Sequence, residues 1–348
     1  MEFYTEQHKH YCGIDLHARF MYICIINQAG KILFHKNMKT DENLFLNAIK
    51  PYLEGLVVCV ECIFSWYWIS DLCNKENIPF VLGHALYMKA IHGGKTKNDK
   101  IDSKKIAMLL RGGMLPMSYV YPKEMRSTRD LLRRRMYFMR KRAELLSHLQ
   151  NTNTQYNLPT FNKKLKHKVN RQPFIDRFED ESVRKSVEVD LALVNEYDKL
   201  ISELELFIVK NTKEFDANNF YLLRSVPGIG KILALVILYE INDIKRFPKV
   251  QNFLSYSRLV KPSRESNGKK YGSQNSKIGN VHLKWAFSEA SVMFISKSEE
   301  GKKYLQKLEK KHGKAKGMTI LSKKIGVAVY YMMKNQKAFD MKRFFNRK

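Results

Sequence analysis

The sequence is short of acids, of long apolar runs and of cysteine beyond its first quarter, and each shortage excludes something. Only 34 Asp and Glu stand against 62 Lys and Arg, a formal charge of +28. An excess this large and widespread points to a polyanion, held mainly through phosphate contacts and counterion release. A ribosomal-type protein and a membrane-surface binder are the competing readings of the charge. No apolar stretch approaches the roughly 18 residues of a membrane-spanning helix, so none is expected. The first residues, MEFYTEQHKHYCG, carry no basic flank followed by an apolar run, so no signal peptide is expected. The five cysteines are Cys12, Cys24, Cys59, Cys62 and Cys73, all early in the chain. Cys59 and Cys62 form a CxxC pair with no second pair at zinc spacing, so reduced core thiols of a cytoplasmic protein are expected, with zinc the lesser reading.

What is present is enough apolar text for a core, 44% hydrophobic and 12% aromatic, which disordered chains lack. YCGIDLH, FMYICIIN and KILFHKNM read as three strands, the last two joined by a turn at Asn27–Gly30. A helix around Asp41–Leu53, the strand LVVCVE, a helix around Ser65–Lys75 and the strand PFVLG follow. Three strands and then strands alternating with helices imply a mixed α/β sheet of the ribonuclease-H-like (RuvC-like) kind in residues 1–122. Residues 123–215 carry two helical stripes, Leu132–Met136–Met139–Ala143–Leu146 and Val194–Tyr197–Ile201–Leu204–Ile208. They flank a polar insert at 151–185, which implies a central antiparallel coiled coil. Residues 216–348 read as mostly α, with a loop from Lys261 to Gly279 and a lysine-rich tail.

Four acids stand out. Asp15 ends the first strand, Glu61 ends LVVCVE, and Asp99 and Asp102 lie three apart in KNDKIDSKKIA, on one helical face. One strand-end carboxylate is normally just solvated. A set of four suits hard cations such as Mg2+, which take oxygen ligands together with substrate phosphates. Lys95, Lys97, Lys100, Lys104 and Lys105 surround the last two acids and would attract a phosphate backbone, whereas Asp41 and Asp71 belong to polar helix faces. Further on, LLRSVPGIGK followed by ILALVILYEI describes a helix-hairpin-helix; Gly228, Gly230 and Lys231 would let a phosphate approach a helix N-terminus, or simply turn a helical hairpin. Arg264, Ser266, Lys269, Lys270 and Lys277 lie in a glycine-rich basic loop, where a serine is ordinarily a solvated or phosphate-contacting side chain.

GIDLH, the strand ending in Glu61, KNDKIDSKKIA, RDLLRRR at 129–135, LRSVPGIGKILALVILYEINDIKRF and SKIGNVHLKWAF occur in order from about Tyr11 to Ala290. In these blocks the chain resembles the DEDD insertion-sequence transposases related to the Piv DNA invertase. The resemblance implies a RuvC-like domain with Asp15, Glu61, Asp99 and Asp102 as ligands of Mg2+ or Mn2+, and a C-terminal transposase domain supplying a serine nucleophile, best matched by Ser266. It implies a noncoding bridge RNA that pairs with donor and target DNA, and homodimers assembling into homotetramers. Arg133, Arg134 and Arg135 would then face nucleic acid. Two positions depart from the family pattern. Asn267 separates Ser266 from Gly268, leaving Ser263 and Ser273 as rivals, and Cys62–Tyr67 replaces the usual Thr-Gly after the acid. The expected function is metal-assisted, serine-mediated DNA strand exchange. The alternatives are a RuvC-like nuclease using water and a non-catalytic nucleic-acid-binding protein.

Overall fold

Runs rich in apolar residues in the first forty positions form a strand meander, because side chains on a strand point alternately to its two faces and both faces of the central strands are buried. A computed structural model describes residues 2–91, 98–211, 216–261, 265–270 and 278–346. Two compact units emerge, Met1–Lys123 and Glu124–Lys348.

The first unit runs β1 Phe3–Tyr4, β2 His10–Leu16, β3 Phe20–Asn27, β4 Ile32–Lys39, α1 Glu42–Ile49, β5 Leu56–Glu61, α2 Tyr67–Lys75, β6 Phe80–Gly83, α3 Ala85–Ile91, α4 Asp99–Arg111 and β7 Leu115–Pro116. The strands β4-β3-β2-β5-β6 form one sheet. β2 and β3 are antiparallel, as are β3 and β4, whereas β5 lies parallel to β2 and β6 parallel to β5. This mixed sheet fits the ribonuclease-H-like arrangement expected from the strand order. Cys12, Ile14, Leu16, Val58 and Val60 join one core with Phe45 of α1 and Ile69 of α2. Tyr11, Cys24, Val57 and Cys59 pack on the other face against Ile106, Ala107 and Leu110 of α4. Residues one apart on β2 therefore serve different cores, which is why the strand reads as continuously apolar. Cys12, Cys24, Cys59 and Cys73 are buried free thiols, and Cys62 is exposed.

The second unit is helical apart from one small hairpin. Its elements are α5 Lys123–Gln155, α6 Gln172–Ile175, α7 Glu181–Asn211, α8 Ala217–Arg224, α9 Lys231–Ile241, α10 Val250–Tyr256, β8 Glu265–Ser266, β9 Lys269–Lys270, α11 Val281–Lys297, α12 Glu299–His312, α13 Lys314–Asn335 and α14 Met341–Asn346. The long helices α5 and α7 run antiparallel: Arg135 pairs with Glu205, Arg142 with Asp198 and His148 with Asp190, partner numbers falling as helix numbers rise. Between them, Leu165, Phe174 and Phe178 of the insert close over Leu149 and Leu191. α9 is the centre of the C-terminal core, with every residue from Ala234 to Ile241 buried. No helix among the described residues is long and apolar enough to cross a membrane.

Candidate active site

The first cluster is set by the faces of β2. Gly13, Asp15 and His17 recur at period two, so they share the face that α4 covers. A Cβ on Gly13 would fall 2.3 Å from the Ala107 amide nitrogen and 2.4 Å from the Ser103 carbonyl oxygen. Only glycine lets the α4 backbone lie this close to the strand. Toward its N-terminus α4 then passes over the end of β2. Asn98 caps it by accepting from the Ile101 amide at 2.8 Å, placing Asp99 and Asp102 in its first turn. Acids there are favoured by the positive end of the helix dipole.

Asp15 is nearly buried, 9% exposed, whereas the Asp99 side chain is 55% exposed. His17 links them: its Nε2 stands 3.4 Å from Asp15 Oδ1 and 3.6 Å from Asp99 Oδ1. One ligand atom from each of the three lies within 4.8 Å of the other two, a spacing that can hold a metal ion. Glu61 ends β5, one position beyond the registered pair Ile14–Val60 and therefore beside the Asp15 position of the neighbouring strand. Asp102 faces Lys105, one turn further along α4, at 3.6 Å. Lys100 is exposed, and its carbonyl accepts from His35 Nε2 at 3.0 Å, tying α4 to β4. Lys97 lies outside the described residues. The sequence pattern alone does not single out His17 of GIDLH; the period of two from Asp15 is the signal that marks it.

In the second unit, β8 and β9 pair Ser266 with Lys269 across a two-residue turn. Asn267 and Gly268 both take positive φ, 49° and 71°. Asn-Gly is the residue pair that hairpin turns of this hand favour, so the insertion of Asn267 before the glycine makes a tight turn directly after Ser266. Arg264 and Lys277 lie outside the described residues, as do Ser263 and Ser273. Lys269 is exposed.

The far foot of this segment is fastened to the core. Arg258 Nε donates to the Ile278 and Gly279 carbonyls at 3.0 and 2.9 Å. Asn280 caps α11, accepting from the His282 and Leu283 amides, while its Nδ2 donates to Glu240 at 2.7 Å. Glu240, 2% exposed, also accepts from Arg129 at 3.1 Å and from Arg133 at 2.7 and 3.0 Å. Burial alone would raise its pKa; hydrogen bonding from Arg133 and the charge of Arg129 outweigh it and hold the carboxyl at about 2. Beside it, burial and the Arg133 charge depress His282 to about 4.

These contacts sort the arginine cluster. Arg133 and Arg135 are occupied by Glu240 and Glu205, and only Arg134 of the three is exposed. The two hairpin glycines also differ. A Cβ on Gly228 would meet the α11 backbone at Phe294 N, 2.5 Å away, so this glycine serves helix packing. Gly230 has nothing within 4 Å and is exposed at the N-terminus of α9 beside exposed Lys231.

Known proteins resemble the chain over most of its length. Residues 221–306 match the family model described as Transposase IS116/IS110/IS902 family. Residues 12–158 match a model for DEDD transposases of the IS110 type, described as a transposase. The chain is 21% identical over 341 residues to the transposase for insertion sequence element IS1111A of Coxiella burnetii (strain RSA 493 / Nine Mile phase I), covering 94% of this chain and 90% of that one. The two matched segments take in the carboxylate-bearing sheet with α4 and the helical core with the serine hairpin, and the chain belongs to the IS110 family of DEDD transposases.

Proposed function

We propose that this transposase cuts and rejoins DNA by two transesterifications, with Ser266 as nucleophile and Asp15, Glu61, Asp99 and Asp102 as the divalent-metal site. The observation that carries the reading is the convergence of Asp15, His17 and Asp99, from a strand end and a helix N-terminus, into a spacing that fits a cation. Their closest ligand atoms stand slightly beyond the roughly 3 Å that adjacent ligands of a small octahedral ion take. The donor set is mainly carboxylate oxygen, which suits Mg2+ or Mn2+. Such an ion supplies Lewis-acid stabilisation of charge on a phosphodiester's attacking and leaving oxygens.

The chain's own groups do the rest. Ser266 Oγ bonds to phosphorus, the bond to one DNA oxygen breaks, and a free deoxyribose hydroxyl leaves. A hydroxyl of the new partner reverses the exchange and releases the serine, so the bond energy is conserved and no high-energy cofactor is consumed. Lys269 and Lys270, with Arg264, would balance charge on the phosphate, and Lys97, Lys100, Lys231 and Lys277 would track the backbone. Guidance by a bridge RNA and assembly through dimers to tetramers rest on the family resemblance, supported by the basic surface that includes exposed Arg134.

The test incubates the full chain with its element's DNA ends and RNA and examines the products for a serine-linked protein–DNA adduct. Ser266→Ala should abolish the adduct and retain DNA binding. Asp15→Asn should abolish cleavage altogether. Cleavage that persists in Ser266→Ala with divalent metal would instead identify a nuclease using water, and strand exchange without added RNA would remove the guide.

A further inference from the structure

We infer that His17 is a ligand of the ion held by Asp15 and Asp99, and that its imidazole nitrogen biases this centre toward Mn2+ over Mg2+. The inference rests on the reading of this cluster as the metal centre. Three observations carry it. The first is direction: two residues beyond Asp15, at the end of β2, His17 falls on the same face as the acid. The second is position: its Nε2 stands 3.4 Å from a carboxylate oxygen of β2 and 3.6 Å from one of α4, so it closes the triangle between two elements. The third is fixation. The His17 amide donates to the Phe20 carbonyl at 3.0 Å, and its own carbonyl accepts from Thr40 Oγ1 at 2.9 Å, so the backbone is held on both sides. The side chain is 54% exposed, and an exposed pair of this kind contributes little to folding. What the held geometry does offer is a third donor facing the same point as two carboxylates.

The donor type then decides the ion. Mg2+ takes oxygen ligands and retains its waters, whereas Mn2+, the most oxygen-preferring of the first-row divalent ions, still accepts an imidazole nitrogen more readily than Mg2+ does. An aspartate pair alone would favour neither strongly. Adding one neutral nitrogen favours Mn2+. The depression beside the cluster, lined by His17, Arg19, Phe20 and Asp99, is open to solvent, so an ion can reach it without rearrangement.

The test uses the full-length protein in mildly alkaline buffer. Mn2+ binding is followed by electron paramagnetic resonance, Mg2+ by competition, and directly bound nitrogen by the pulsed experiment on the Mn2+ complex. The wild type should show nitrogen coupling. His17→Ala should lose that coupling and weaken Mn2+ on the order of tenfold, with Mg2+ affinity and thermal stability nearly unchanged. A wild-type spectrum without coordinated nitrogen, or an unaltered Mn2+ to Mg2+ ratio in His17→Ala, overturns the inference while leaving the carboxylate centre standing. Asp15→Asn separates the two levels: it should weaken both ions, and if it binds both as the wild type does, the centre itself is misread and the inference falls with it.

Discussion

Replacing Glu240 by glutamine should remove about 3 kcal/mol of stability from the helical unit at pH 7, and the deficit should shrink in acid. The carboxyl is 2% exposed and holds two guanidiniums and the Asn280 amide. Its pKa of about 2 lies some two units below the ordinary glutamate value of about 4.3, which corresponds to about 3 kcal/mol. Losing one partner of a buried ion pair costs a similar 3–5 kcal/mol or so, because the remaining charges stay buried. The sign follows from the depressed value: this stability is fully present above about pH 4.5 and is lost as pH falls toward 2. By pH 3 roughly half should remain, so the gap between wild type and Glu240→Gln should narrow by about half. His282 contributes in a different window. Its depressed value destabilises the fold as pH drops from about 6.5 to about 4, in both proteins. Urea titrations at pH 7, 5 and 3 would measure this, since urea leaves charge interactions unscreened. Of the three tryptophans only Trp285 lies in the helical unit, so a Trp66→Phe/Trp68→Phe background makes fluorescence report that unit alone. Equal stabilities at pH 7, or a gap that does not narrow in acid, would refute the ion-pair reasoning.

Gly13→Ala should destabilise the first unit by about 1–3 kcal/mol, because the new methyl meets α4 backbone atoms that cannot rotate away. Shifting α4 displaces Asp99, so Mn2+ binding in this variant should weaken even where the protein stays folded, as calorimetry and metal titration would show. The arginine cluster should divide: Arg134→Ala should weaken nucleic-acid binding with little change in melting temperature and lower the salt slope by about one. Arg135→Ala should instead lower the melting temperature, since it leaves Glu205 without its guanidinium.

Strand-bearing text was legible because β2, β3 and β5 are buried on both sides and had to be nearly all apolar. The acids could be found for a related reason: a carboxylate at the end of such a strand, as at Asp15 and Glu61, interrupts a pattern that otherwise admits no charge. Asp99 and Asp102 were marked by their spacing on a helix. None of these signals reaches residues whose meaning depends on a distant partner. RDLLRRR shows four arginines, and the acid at position 240, more than a hundred residues away, pairs with Arg129 and Arg133 while Arg134 is exposed. Gly228 has the same ambiguity, since a backbone left bare for a phosphate and one left bare for α11 require the same residue. His17 was hidden differently. A histidine at a strand end suits solvent, a counterion or a metal equally, and what selects among them is the arrival of α4, brought within reach by Gly13 and carrying Asp99 to the other side of the imidazole. Local pattern thus identifies the groups that violate a buried element. Assigning a charge to nucleic acid or to the protein's own fold requires knowing which opposite charge the tertiary structure brings beside it.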